Sequence, residues 1–159
     1  MTTQAPETME NLTQAAVDEA IEAIPVNHVD VIETVIDSLD SDNTAMVNQS
    51  NNGHLWKFKY GSAEVFVQLT GVSDEDTLTV WSVVLPLPAK NEAQLMKKLL
   101  EMNWQETVEA RFAIAESQVV VLVSRSVADM SAGEISRAVT IVATVADNND
   151  DAFQAEYSM

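Results

Sequence analysis

A chain of 159 residues with no cysteine, 47% apolar residues and a formal net charge of -17 excludes disulfides, thiolate metal centres and a cysteine nucleophile, and its field opposes phosphate backbones and anionic lipid headgroups. At this length one domain hides roughly two-thirds of its unfolded surface, so a full core forms without covalent staples. No basic start followed by an apolar run opens the sequence, and no apolar stretch reaches the roughly 18 to 20 residues of a membrane span, Leu78 to Leu87 being the nearest; the expected setting is the cytoplasm.

The charge is unevenly placed: residues 1–42 hold ten Asp and Glu and not one Lys or Arg. Val17, Ile21 and Ile24 form a sparse helical stripe that Pro25 ends, so residues 1–26 are expected to be an acidic arm, flexible or marginally helical. Residues 27–159 form the expected domain. Asn27 is placed to cap a helix over about His28 to Asp40, in which Val29, Ile32, Ile36 and Leu39 recur at spacings of three and four. Val31 and Val35 add a second apolar pair, wider than one sheet contact requires.

From Asn43 the period falls to two. Met46 and Val47 lie in a short strand, Asn51-Asn52-Gly53 signals a turn, and Trp56, Phe58 and Tyr60 alternate with Lys57 and Lys59. Gly61-Ser62 interrupts the pattern before Val65, Val67 and Leu69 alternate with Glu64, Phe66 and Gln68. Leu78 to Leu85 is apolar on both faces, so the face carrying Trp81 and Val83 is expected to be covered by something other than the helices. After Pro86 and Pro88, Asn91 is expected to cap a helix through about Trp104, with Leu95, Met96, Leu99, Leu100 and Met102 on a wide apolar arc. Val108, Ala110, Phe112 and Ile114 alternate in a strand paired, through a Glu116-Ser117 turn, with Val119 to Val123. Ser131 and Glu134 form a capping box opening a helix through Ile135, Val139, Val142 and Val145, which Asp147 to Asp151 is expected to end, leaving Phe153 and Tyr157 in a tail.

The order is helix, three or four strands, helix, two strands, helix. A run of hairpins is incompatible with βαβ alternation, so the class is α+β, α-β-β-β-α-β-β-α with a mostly antiparallel sheet and helices packed against it.

Little of this sequence reads as chemistry. His28 and His54 have no partner at ligand spacing. Asp40-Ser41-Asp42-Asn43-Thr44 opens like a calcium loop, but Ala45 stands where a glycine is required and Asn51 where a bidentate Glu is. Asp147 to Asp151 lacks ligand alternation, and Asp74-Glu75-Asp76 reads as a wet turn, not a catalytic pair. The four glycines are too scattered for a phosphate loop, and no Gly-x-Ser-x-Gly elbow occurs. Trp56 to Tyr60 interleaves aromatics and lysines, yet period two sends rings and lysines to opposite faces, against a nucleic-acid platform. No catalytic residue, cofactor or metal is expected.

The helix ending Leu99-Leu100-Glu101-Met102-Asn103, the strand Ala110-Arg111-Phe112-Ala113-Ile114, Val119-Val120-Val121, and Ser131 followed by Ala146-Asp147 together resemble the YbjN-domain family, over roughly Asn27 to Tyr157. That resemblance implies a fold similar to type III secretion chaperones: a compact module, often dimeric, that binds other polypeptides without cofactor or catalysis, with a role in sensory regulation. The acidic arm is a departure from the family pattern.

The expected function is therefore a non-catalytic, chaperone-like or adaptor module that holds another protein or a second copy of itself, with Val31, Val35, Trp81 and Val83 as candidate contact residues; nucleic acid and membrane are not expected partners. The alternative is a small-molecule sensor or minor enzyme with a pocket between sheet and helices lined by Met96, Met102 and Trp104. A further reading makes the acidic chain a decoy of nucleic acid that competes for a basic protein.

Overall fold

The computed structural model describes residues 26–159. Three helices and six strands follow in the order α1 (His28–Leu39), β1 (Met46–Ser50), β2 (Gly53–Tyr60), β3 (Ala63–Leu69), β4 (Thr77–Pro86), α2 (Glu92–Gln105), β5 (Arg111–Ala115), β6 (Gln118–Ser126) and α3 (Ala132–Tyr157). Four strands thus precede α2, the upper of the two counts expected. The strands form a single sheet in the order β1-β2-β3-β4-β6-β5, antiparallel at every junction. The expected arm, residues 1–26, lies outside the described residues up to Pro25.

The sheet's alternation decides where the core sits. Trp56 and Phe58 of β2, Val65, Val67 and Leu69 of β3, Leu78 and Val80 of β4, and Val119, Val121 and Val123 of β6 are all buried, and α3 crosses this face over β2, β3, β4 and β6. Between Val83 and Leu85 the register slips by one residue, a bulge that lets Val84 and Leu85 both reach the interior. The core is one continuous layer between sheet and helices.

Helix α1 starts where expected, with the Asp30 backbone N–H donating to Asn27 Oδ1 at 3.1 Å. Its wide apolar arc has an intramolecular cause: α1 packs along α3 and also approaches the sheet beside Trp56, whose Nε1 donates to Glu33 Oε1 at 3.4 Å. At α2 the expected cap is corrected. Asn91 adopts a left-handed backbone, φ 48°, and its side chain makes no capping bond; the Glu92 carboxylate instead accepts the Ala89 N–H at 3.1 Å. Strand β5 begins at Arg111, not Val108, because Val108 takes φ 55° in the turn that follows α2. Glu116 and Ser117 have φ 49° and 60°, the paired positive values that a two-residue hairpin turn requires.

Helix α3 runs through 26 residues to Tyr157, and here the expected stop is overturned. Ser131 caps it, accepting from the Glu134 N–H at 3.1 Å, while the Glu134 carboxylate pairs with Arg125 of β6. Asp147 and Asp150, three apart on one helical face, do not end the helix because both face the β2–β3 turn. The Ser62 N–H donates to Asp147 Oδ1 at 3.0 Å, and the Ser62 hydroxyl lies 2.8 Å from Asp150 Oδ1. The same turn needs Gly61, at φ 58°, since a Cβ there would collide with the Asp147 carboxylate. The continuation buries Phe153 and Tyr157, each 1% exposed, and Phe153 meets Phe112 edge to face at 5.7 Å. Among the described residues, no helix is long and apolar enough to cross a membrane.

Candidate functional site: the open face of the sheet

The second face of the sheet carries the residues that the core does not use. Strand register lines up one row across it: Met46 of β1 opposite Lys57 of β2, Lys57 opposite Phe66 of β3, Phe66 opposite Trp81 of β4, Trp81 opposite Leu122 of β6, and Leu122 opposite Arg111 of β5. At its centre the Phe66 and Trp81 rings stack, with centroids 5.2 Å apart and planes 11° from parallel. A neighbouring row sets Val83 opposite Val120 and Val120 opposite Ala113. The row on the other side is polar, Gln68 opposite Thr79 and Thr79 opposite Ser124, whose hydroxyls are 3.1 Å apart.

No described helix covers this face. Phe66, Trp81, Val83 and Leu122 remain partly exposed, so an apolar band three strands wide stands against solvent. A depression of about 290 Å³ follows it, lined by Trp81, Val83, Val120 and Leu122 with Glu116 and Gln118 at the hairpin end. Basic groups border the band: Lys57, Lys59 and Arg111 by register, against Glu64, which lies 3.4 Å from Lys57. Arg111 and Lys59 make no ion pair among the described residues. In a chain of net charge -17, this face carries three of the eight Lys and Arg.

The four expected contact residues are separated by the fold. Trp81 and Val83 lie together on the open face. Val35 is 8% exposed and Val31 packs against the core, so Val35 has no surface to offer a partner. The pocket expected between sheet and helices does not form from its three residues, because Met102 is buried while Trp104 is 85% exposed. Instead Leu100 and Trp104, one helical turn apart, point outward from α2. Beside them a shallow groove of about 260 Å³ runs between Met96 and Leu100 of α2 and Phe112 and Ile114 of β5.

The acidic clusters are engaged in local structure. Asp40 accepts the Thr44 hydroxyl at 2.7 Å and the Ala45 N–H at 2.7 Å, and the Thr44 hydroxyl bond is the main reason its carboxyl titrates below the ordinary range. Asp76 closes the β3–β4 loop, accepting the Ser73 hydroxyl at 2.7 Å, the Ser73 N–H at 3.0 Å and the Thr70 hydroxyl at 2.9 Å. The Ser73 hydroxyl leads the causes that lower its pKa. His54 stacks on Trp56 at 5.1 Å and bonds Gln49. Among the described residues, no three His, Asp or Glu side chains gather as a metal would need.

Phe66 and Leu122 complete the apolar row, and reading the sequence did not single them out. Phe66 was visible only as an aromatic in the polar register of β3, between Glu64 and Gln68, and Leu122 was hidden in the unbroken run Val119 to Val123.

A family profile described as "Putative bacterial sensory transduction regulator", YbjN, matches residues 28–155, all but the last two residues of the helix and sheet body. The chain belongs to the YbjN family. No curated protein matches it. The YbjN match begins at the first residue of α1 and takes in all six strands of the sheet.

Proposed function

We propose that this YbjN-family chain is a non-catalytic regulatory module of the cytoplasm, chaperone-like in mode, which holds another polypeptide, or a second copy of itself, on the open face of its sheet. The single observation that supports this most is the Phe66–Trp81 stack, standing part-exposed at the centre of an apolar band. Monomeric proteins seldom leave a contiguous apolar surface rimmed by charge without a binding role. A rigid Trp beside a second ring supplies the large, low-entropy contact typical of interface hot spots. The depression, about 290 Å³, is open to solvent and not enclosed, a shape that suits a polypeptide better than a buried metabolite. The family's description as a transduction regulator accords with a switchable contact of this kind.

Site-specific photocrosslinking tests the reading. A photoreactive residue at Val83, in the native cell, is expected to trap one discrete polypeptide, whereas the same residue at Thr140, exposed on the solvent side of α3, traps none. Equal and diffuse labelling at both positions would sink the proposal.

A further inference from the structure

We propose that the groove between α1 and β1, on the helix side of the sheet, takes a basic extended segment of another protein, which adds as a strand to the edge of β1 and sets an Arg between Glu33 and Asp37. This second docking site goes beyond the reading of the open face and does not depend on it.

The edge is built to accept a strand. Strand β1 lies at one end of the sheet, and its hairpin with β2 closes at the pair Ser50 and Gly53 through Asn51, at φ 53°, and Asn52. The closing pair of such a two-residue turn is hydrogen-bonded, so alternation directs the N–H and C=O of Val47 and Gln49 away from β2. Native edges are usually blunted by charge, proline or a covering segment. Met46-Val47-Asn48-Gln49-Ser50 has neither charge nor proline, and all five residues are exposed. At the other end of the sheet, Asn103 occupies the backbone of Phe112; no described side chain does the same for β1.

Charge names the occupant. Residues 28–56 hold Asp30, Glu33, Asp37, Asp40 and Asp42 and no Lys or Arg. Of the eight bases, Lys57 and Lys59 alternate with buried Phe58 and so project to the open face, and the other six lie at residue 90 or beyond. Glu33 and Asp37, exposed and one helical turn apart, make no ion pair among the described residues. Such a like-charged pair opposes its own helix unless a cation stands between the two.

The groove between them has an apolar floor. It holds about 180 Å³ and is lined by Glu33, Ile36, Asp37, Val47 and Trp56, with Ala45 and Met46 at its rim. That is the share of roughly six waters, suited to one long side chain. Glu33 is fixed over it by the Trp56 indole N–H. Val47 lies opposite the buried Trp56, so its side chain, 52% exposed, faces the helix layer, and a residue paired with it on an added strand faces the same way. An Arg there lays its apolar stem on Val47 and Trp56 and presents its planar fork to both carboxylates.

Fluorescence anisotropy with a labelled, capped peptide of alternating Val and Arg, on the full chain, tests this. The peptide is expected to bind, and a Val-Glu counterpart not to. Glu33→Gln with Asp37→Asn, which keeps an acceptor for the Trp56 N–H, is expected to weaken binding about tenfold. Glu75→Gln with Asp151→Asn, an equal charge change at exposed positions elsewhere, and Trp81→Ala on the open face are expected to change it less than about twofold. N-methylation of the one alternate set of peptide amides that faces β1 is expected to abolish binding, and methylation of the other set to be tolerated. Absence of binding at about millimolar peptide overturns the proposal, as does equal weakening by the two charge pairs, loss in Trp81→Ala, or indifference to both methylations. A full chain that is dimeric until Val47→Pro makes it monomeric, with circular dichroism unchanged, overturns it too, since a second copy then fills the edge.

Discussion

The side-chain amide of Asn103 grips the backbone of Phe112 at both ends: the Phe112 N–H donates to Asn103 Oδ1 at 2.7 Å, and Asn103 Nδ2 donates to the Phe112 carbonyl at 3.3 Å. Phe112 lies on β5, an outer strand of the sheet. One residue of α2 therefore takes the place of a missing strand at the point where an unpaired edge would otherwise invite aggregation.

Replacing Asn103 by Leu is expected to cost about 1 to 3 kcal/mol, since two backbone groups lose their partner and water has poor access to them. Urea denaturation gives the loss, and light scattering on heating is expected to show earlier aggregation than in the parent chain.

The two tryptophans of the sheet offer a contrast. Trp56 is buried and Trp81 is part-exposed, so Trp56→Ala is expected to cost about 3 to 5 kcal/mol in stability, and Trp81→Ala much less. Equal losses would mean that the Trp81 face is interior and not free.

Ser62→Ala removes the hydroxyl that meets Asp150, which is 3% exposed. Leaving that carboxylate short of a donor is expected to cost about 1 to 3 kcal/mol. Ser62→Thr, which keeps the hydroxyl, is expected to recover part of it.

Acid loosens the β3–β4 loop. The Asp76 carboxyl is held below its ordinary pKa, first by the Ser73 hydroxyl and then by the Ser73 N–H and the Thr70 hydroxyl. The native state thus binds its proton less readily than the unfolded chain, so the contribution is full above the ordinary carboxylate range and is lost as pH falls through the lower folded value. Amide exchange at Ser73, followed from about pH 6 to about pH 3 and corrected for intrinsic rates, is expected to lose protection, while Asp76→Asn starts with less and changes little.

Much of the architecture was legible because each element obeyed one period. The stripe of Ile32 and Ile36, the alternation of Trp56 with Lys57, and the Glu116-Ser117 turn each carry a local signal that tertiary contacts only reinforce. The errors arose where a distant partner reversed the local meaning. Asp147 to Asp151 looks like a helix stop, since acidic residues oppose the negative end of a helix, yet Ser62, far away in sequence, binds two of these carboxylates and lets α3 continue. Val31 and Val35 seemed surplus on α1 because nothing in their neighbourhood announced α3 as a second neighbour. The open face was half visible: Trp81 and Val83 stood out in a strand apolar on both sides, whereas the contribution of Phe66 and Leu122 depends on register across three strands, which no single segment reveals.

Strand β6 enters the sheet between β4 and β5, and Gln118 comes to lie opposite Pro86 across the whole length of α2. Strands β1 to β4 zip from one tight bend to the next, and β5 with β6 does the same, but joining the two halves closes a long loop and should be the slow event in folding. Phe66 and Trp81 belong to the early half, Leu122 and Arg111 to the late one. The row that runs from Phe66 through Trp81 to Leu122 and Arg111 is consequently complete only once the late hairpin has slotted in beside β4.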